Sequence, residues 1–184
     1  GAIFGLVENE QYYPGDYSSV SVPVPGENVS QSEGITITLS EFVCSSESLN
    51  ISILIDSEDP FPELFRQSVA DEDKNGSSYI MLVTEQNTDF ADIPMNPDGN
   101  MYLEARGAFQ DESTFAGVIR IDFYLYPYAL YVIPDSFIWD LKITNISSPD
   151  WTGKSDSPLA IPGKWTFSSQ ITRQEIGTKT VEVN

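Results

Sequence analysis

The fold class this sequence predicts is all-β: two packed antiparallel sheets, an immunoglobulin-like sandwich of about eight to ten strands with long acidic loops. Three observations predict it. Apolar and polar residues alternate in Ile35-Thr36-Ile37-Thr38-Leu39 and again in Leu49-Asn50-Ile51-Ser52-Ile53-Leu54-Ile55, the period of strands with one buried face. Similar runs recur at hairpin-like spacing, separated by Gly, Pro, Asn and Asp. Helical spacing is nearly absent, and no repeat of fixed period is visible.

The chain has 184 residues, the length of one ordinary domain. Residues 1–33 read as an N-terminal arm or edge strand packing on the domain, since Val20-Ser21-Val22-Pro23-Val24-Pro25 alternates but carries two prolines that cannot donate ladder hydrogen bonds. Residues 34–184 form the sandwich. Its opening hairpin places Ile35, Ile37 and Leu39 on one face, then Phe42-Val43-Cys44 beyond a bulge, and Ile51, Ile53 and Ile55 on the return strand. Residues 56–78 are an acidic excursion with one helical turn over Pro62 to Val69. Tyr79 to Thr84 is apolar on both faces and reads as a buried strand.

Met101 to Phe109 forms the next strand, after the turn chemistry of Pro97-Asp98-Gly99-Asn100. Val118 to Tyr126 alternates, with Ile119, Ile121, Phe123 and Leu125 on one side and Arg120, Asp122 and Tyr124 on the other. Tyr128 to Ile133 is a short strand or a bend. Phe137, Trp139, Leu141 and Ile143 line another strand, and Gly163 to Ile171 and Thr178 to Val183 supply two more. Ile35, Ile37, Ile51, Ile53, Trp139 and Phe167 are expected in one common core.

Charge and composition narrow the function classes. The chain carries 28 Asp and Glu against 9 Lys and Arg, a formal charge of −19. Nucleic acid binding relies on cationic side chains displacing counterions from phosphates, so nucleic acid is not the expected partner, and anionic lipid is disfavoured for the same reason. There is no His, which removes the commonest general base and the commonest transition-metal ligand. The single cysteine, Cys44, lies in a predicted strand, can form no internal disulfide, and reads as a buried, inert thiol. No phosphate loop, no Gly-x-Ser-x-Gly and no Lys within an apolar run is found, so the chain is read as non-enzymatic. No run of 18 apolar residues spans a membrane. Beginning at Gly1, the sequence reads as an excised fragment, with any anchor or signal upstream of it.

Two local patterns are candidate sites. Asp71, Asp73 and Asn75 occupy the first, third and fifth places of a calcium loop with Gly76 at the sixth. The twelfth place holds Leu82 where a bidentate Glu belongs, so an acidic Asn-Gly turn before a strand is the competing reading. Calcium is the only cofactor the sequence suggests. Tyr124, Tyr126 and Tyr128, with Trp151, form a candidate stacking surface for sugar rings, although aromatics at alternate strand positions serve equally as packing.

The order of motifs resembles one family. Val29-Ser30-Gln31-Ser32 before Gly34-Ile35-Thr36-Ile37-Thr38-Leu39, the Leu49 to Ile55 strand, the Phe137 to Ile146 strand, Gly163-Lys164-Trp165-Thr166-Phe167 and Thr178-Lys179-Thr180-Val181-Glu182-Val183 are similar to the uncharacterised extracytoplasmic domain of membrane-anchored, anti-sigma-factor-like proteins of Gram-positive bacteria. The likeness runs over about residues 29–184. It implies a sensory or interaction domain on the outer face of the cell membrane, tethered by an upstream segment, with a protein or envelope ligand as its partner. The family carries no established ligand or active site, so it assigns no residue a role. A carbohydrate-binding or adhesin-like surface module is the alternative expectation.

Overall fold

The computed structural model describes residues 28–70, 78–93 and 101–174. The expected arm up to residue 27, the Asp98-Gly99 turn and the Thr178 to Val183 strand lie outside these residues. Eight strands are described: β1 (Val29–Ser32), β2 (Ile35–Cys44), β3 (Ser48–Ser57), β4 (Tyr79–Thr88), β5 (Met101–Phe109), β6 (Thr114–Asp122), β7 (Ser136–Ser147) and β8 (Ala160–Thr172). One short helix, α1 (Glu63–Val69), follows β3.

The hairpin expected from the alternating runs is present. Glu33 and Gly34 join β1 to β2 with positive φ at both positions, 54° and 73°. That is the mirror-image turn whose twist suits antiparallel strands, and Gly34 adopts it without a Cβ penalty. Between β2 and β3 the Ser45 hydroxyl accepts from the Glu47 and Ser48 amides, closing a side-chain turn. The bulge in β2 falls between Ser40 and Val43, where Glu41 has φ 49°, and it keeps Phe42 and Cys44 facing inward. Ile35, Ile37, Ile51, Ile53, Trp139 and Phe167 are all buried, so the predicted register is the observed one.

The division into two immunoglobulin-like sheets is not observed. The described strands make one antiparallel sheet in the order β1-β2-β3-β6-β5-β4-β7-β8, curled into a nearly closed barrel. Alternation reveals which side chains face inward, which a sandwich and a barrel share; it does not reveal which edges meet. Here the outer strands meet. The Thr166 amide donates to Ser30 Oγ (3.1 Å) and the Lys164 amide to Ser32 Oγ (3.0 Å), so side-chain hydroxyls of β1 take the bonds a backbone ladder would make with β8. The Trp165 indole donates to the Ile35 carbonyl (3.0 Å) just inside this seam, and the Ser169 hydroxyl donates to Asn28 Oδ1 (2.6 Å). Beyond the short β1, β2 meets the end of β8 directly at Cys44 and Arg173.

The interior is filled. In β5 and β6, Gly107 sits opposite Gly117, and a Cβ on Gly107 would lie 2.0 Å from the Ala116 carbonyl oxygen. Gly163 gives the Trp165 ring the same kind of room, since a Cβ there would fall 2.4 Å from the indole. One end of the barrel is closed by α1, whose Phe65 and Val69 are buried beside Phe61, Phe109 and Phe115. The other end is closed by Phe90, Phe123, Tyr128 and Phe137. Central strand β3 is buried on both faces, so Asn50 and Ser52, expected on an open outer face, are covered as well. Asn50 Nδ2 donates to Ser48 Oγ (3.1 Å) and the Ser52 hydroxyl to Glu41 Oε2 (3.4 Å), while the buried Asn50 Oδ1 has no partner among the described residues.

Candidate functional site

The inward face of β4 changes character along its length. Ile80 and Leu82 are followed by Thr84, Gln86 and Thr88, all buried. Buried polar groups require partners, and a directed chain supplies them. The Trp139 indole donates to the Tyr128 hydroxyl (3.2 Å), Tyr128 to Gln86 Oε1 (2.6 Å), Gln86 Nε2 to Thr84 Oγ1 (3.1 Å), and Thr84 to the Met101 carbonyl (2.9 Å). Burial pushes the Tyr128 phenol up to about 12, the Trp139 bond opposing it. This relay is sealed in the core and holds the β6–β7 connection to the barrel.

Tyr128 is therefore removed from the predicted stacking surface. The sequence extends its strand to Tyr126, but β6 ends at Asp122, after which the chain passes through a cis Tyr126–Pro127 bond into a 3₁₀ turn at Tyr128–Leu130. Tyr124 and Tyr126 stay exposed on that connection. Trp151 lies on the β7–β8 connection at the opposite end of β7, a strand of 12 residues or roughly 40 Å at the usual rise, half-buried with its indole on the Lys154 carbonyl (3.0 Å). The four aromatics do not make one platform.

The calcium candidate, Asp71, Asp73 and Asn75, lies outside the described residues. Among the described residues no group of three or more His, Cys, Asp or Glu is arranged to hold a metal ion. Cys44 is buried, and burial pushes its thiol up to about 12 against the pull of Arg173. A thiol held protonated in this way is a core residue and not a nucleophile.

The site that does take shape is a groove of about 800 Å³ on the outer face of β4, β7 and β8. Register builds its floor as two rungs. Glu85, Lys142 and Thr166 stand side by side, and Asn87, Asp140 and Ser168 form the next rung. The rungs lie two residues apart, about 7 Å along the strands, and neighbouring strands are about 4.8 Å apart. The result is a grid of carboxylate, ammonium and hydroxyl over amide, carboxylate and hydroxyl. Lys142 pairs with Glu85 at 3.2 Å across the rung, an exposed pair that orders the two side chains more than it stabilises the fold.

Bulges bend the sheet just beside this floor. β4 shifts register between Val83 and Thr84 and β7 between Ile143 and Asn145, with the Thr144 hydroxyl on the Val83 carbonyl (3.2 Å). The chain leaving β4 makes a wall. Thr88 holds the turn by donating to the Ala91 carbonyl and accepting from its amide, and Asp92 and the buried Ile93 border the groove. The Tyr131 hydroxyl donates to the Asp92 carbonyl (2.9 Å), tying this wall to the β6–β7 connection.

None of the six floor residues stands out in the sequence. Each is an ordinary outward-facing polar residue, and only the neighbour order β4-β7-β8 assembles them. The available signal was the polar set of two strands, Glu85/Asn87 and Asp140/Lys142, and only the second lies in a run whose other face is apolar, since Glu85 and Asn87 alternate with Thr84, Gln86 and Thr88.

No family model and no curated protein matches the chain. A solved structure described as the crystal structure of the conserved domain protein from Bacillus anthracis is similar at 13% identity and a TM-score of 0.47. The likeness covers 88% of this chain and 46% of that one, so the chain spans about half the length of that protein.

Proposed function

We propose that this chain is a non-catalytic recognition domain that takes a polar, hydroxyl-rich ligand in the groove across β4, β7 and β8, acting as the extracytoplasmic sensory part of a membrane-anchored anti-sigma-like regulator. The observation that carries the binding role is the two-rung grid of Glu85, Lys142, Thr166, Asn87, Asp140 and Ser168 on the outside of a filled barrel. Carboxylates accept from ligand hydroxyls, and the ammonium, amide and hydroxyls donate to them or accept in turn. The regulatory setting is supported by the motif order in residues 29–184 and is a hypothesis about the whole protein.

A sigma-dependent reporter in cells carrying the full-length protein tests it. Asp140→Ala and Asn87→Ala, which remove two of the three side chains of one rung, are expected to alter the reporter response while leaving protein abundance unchanged. A reporter indifferent to both rejects the sensory reading.

The second reading is a glycan-binding surface module, favoured by the exposed rings of Tyr124 and Tyr126. A glycan array separates the two: selective binding lost in Tyr124→Ala and Tyr126→Ala, with an unchanged reporter, selects the glycan module.

A further inference from the structure

Between Asp122 and Asp135 the chain runs for twelve residues, Phe123 to Pro134, without one charged side chain, in a protein whose charged content is 20%. Part of this run is core, with Phe123 and Tyr128 buried. Pro127 is buried too, and Tyr131 and Ile133 pack against the core, but five large side chains are held out in water: Tyr124 is 64% exposed, Leu125 54%, Tyr126 64%, Leu130 62% and Val132 92%. Scattered surface apolar residues need no explanation, but five large ones within nine residues of one loop do.

The loop is built to hold its shape. The Ala129 amide bonds the Leu125 carbonyl (3.0 Å), Leu130 the Pro127 carbonyl (3.1 Å) and Tyr131 the Tyr128 carbonyl (3.1 Å). Beneath them Tyr128 is fastened between Trp139 and Gln86, and Tyr131 stacks edgewise on Phe90. A preformed surface loses little conformational entropy on association, and Tyr contributes wide contact area with few rotatable bonds.

Acidic residues surround it. Asp135 ends the run, Glu47 accepts the Phe123 amide on its carbonyl, and Asp89 and Asp92 stand on the neighbouring turn, all four exposed. Arg173 pairs with Asp135. An apolar, Tyr-rich centre inside an acidic rim has the anatomy of a protein-binding patch. We infer that this end of the barrel docks a protein partner that presents an apolar pocket rimmed by Lys and Arg. Charge decides among occupants: a second copy would bring the same acidic rim and the same net −19, and anionic headgroups would be repelled alike.

The test uses the whole chain and a double variant, Leu130→Ser with Val132→Ser, which leaves Tyr128 and its partners in place; Tyr124→Ser is the second variant should the first melt early. A random-peptide display library is panned on the wild-type protein. The expected binders join an apolar stretch to Lys and Arg, bind the wild type at least about tenfold better than either variant, and weaken as salt is raised. Binders without cationic residues, equal binding to the variants, or no binder specific for the wild type overturns the inference. Sedimentation in which the wild type dimerises and the variants do not would assign the patch to a second copy. Flotation with phosphatidylcholine/phosphatidylglycerol vesicles that is lost in the variants would assign it to lipid.

Discussion

Tyr128 shows how much one side chain can carry at the scale of a residue. Its hydroxyl both accepts from Trp139 and donates to Gln86, so Tyr128→Phe leaves a buried indole N–H and a buried amide oxygen without partners. The expected loss is about 1–3 kcal/mol of unfolding free energy, read from denaturant melts. The same burial gives an alkaline signature. With folded-state values pushed to about 12, from ordinary values of 10.0 for Tyr128 and 9.0 for Cys44, the unfolded chain releases these protons first. Their stabilisation is therefore complete below about pH 9 and is lost as pH rises from there toward 12. Tyr128→Phe should flatten the part of that decline above pH 10, and an unchanged slope would count against the assignment. Gly107 is a second sensitive position. A Cβ there meets backbone at Ala116, which has no rotamer to give way, so Gly107→Ala is expected to cost about 1–3 kcal/mol on thermal or chemical unfolding.

Among the elements, the seam between β1 and β8 is the least conventional. Ser30→Ala and Ser32→Ala each remove one acceptor while every ladder stays intact, and the freed amides belong to exposed residues that water can reach. The expected cost is about 0.5–1.5 kcal/mol each, with faster hydrogen exchange confined to the Lys164 and Thr166 amides; protection unchanged at both would show that the serines do not hold the seam. Much at this scale was legible. The Ile37 and Ile53 faces, the bulge before Val43 and the helical turn after Pro62 all follow from local spacing, because burial period and turn chemistry are local properties. Which strands are neighbours is not local: β3 pairs with β6 and β4 with β7 across long stretches of sequence. The sandwich expectation failed there, and so did the stacking surface, since Tyr128 turns inward where the alternation stops at Asp122 and Trp151 lies at the far end of β7. The groove stayed invisible for the same reason, its floor being three strands' worth of unremarkable polar residues.

Over the whole molecule the dominant property is charge. A body carrying −19 works against its own self-repulsion, and salt screens that repulsion over about 8–10 Å at physiological strength. Sodium chloride should therefore raise the melting temperature by a few degrees between low and physiological salt; a melting point that falls would mean that attractive pairs such as Lys142–Glu85 outweigh the excess. The bond from the Tyr131 hydroxyl to the Asp92 carbonyl has a consequence at this scale too. It gives the groove and the apolar loop one common wall, so occupancy of either surface is expected to be felt at the other. Linkage then demands symmetry: whatever factor a groove ligand applies to docking at the loop, the docked partner must apply to the ligand. Tyr131→Phe, by cutting that one bond, should bring both factors toward unity together.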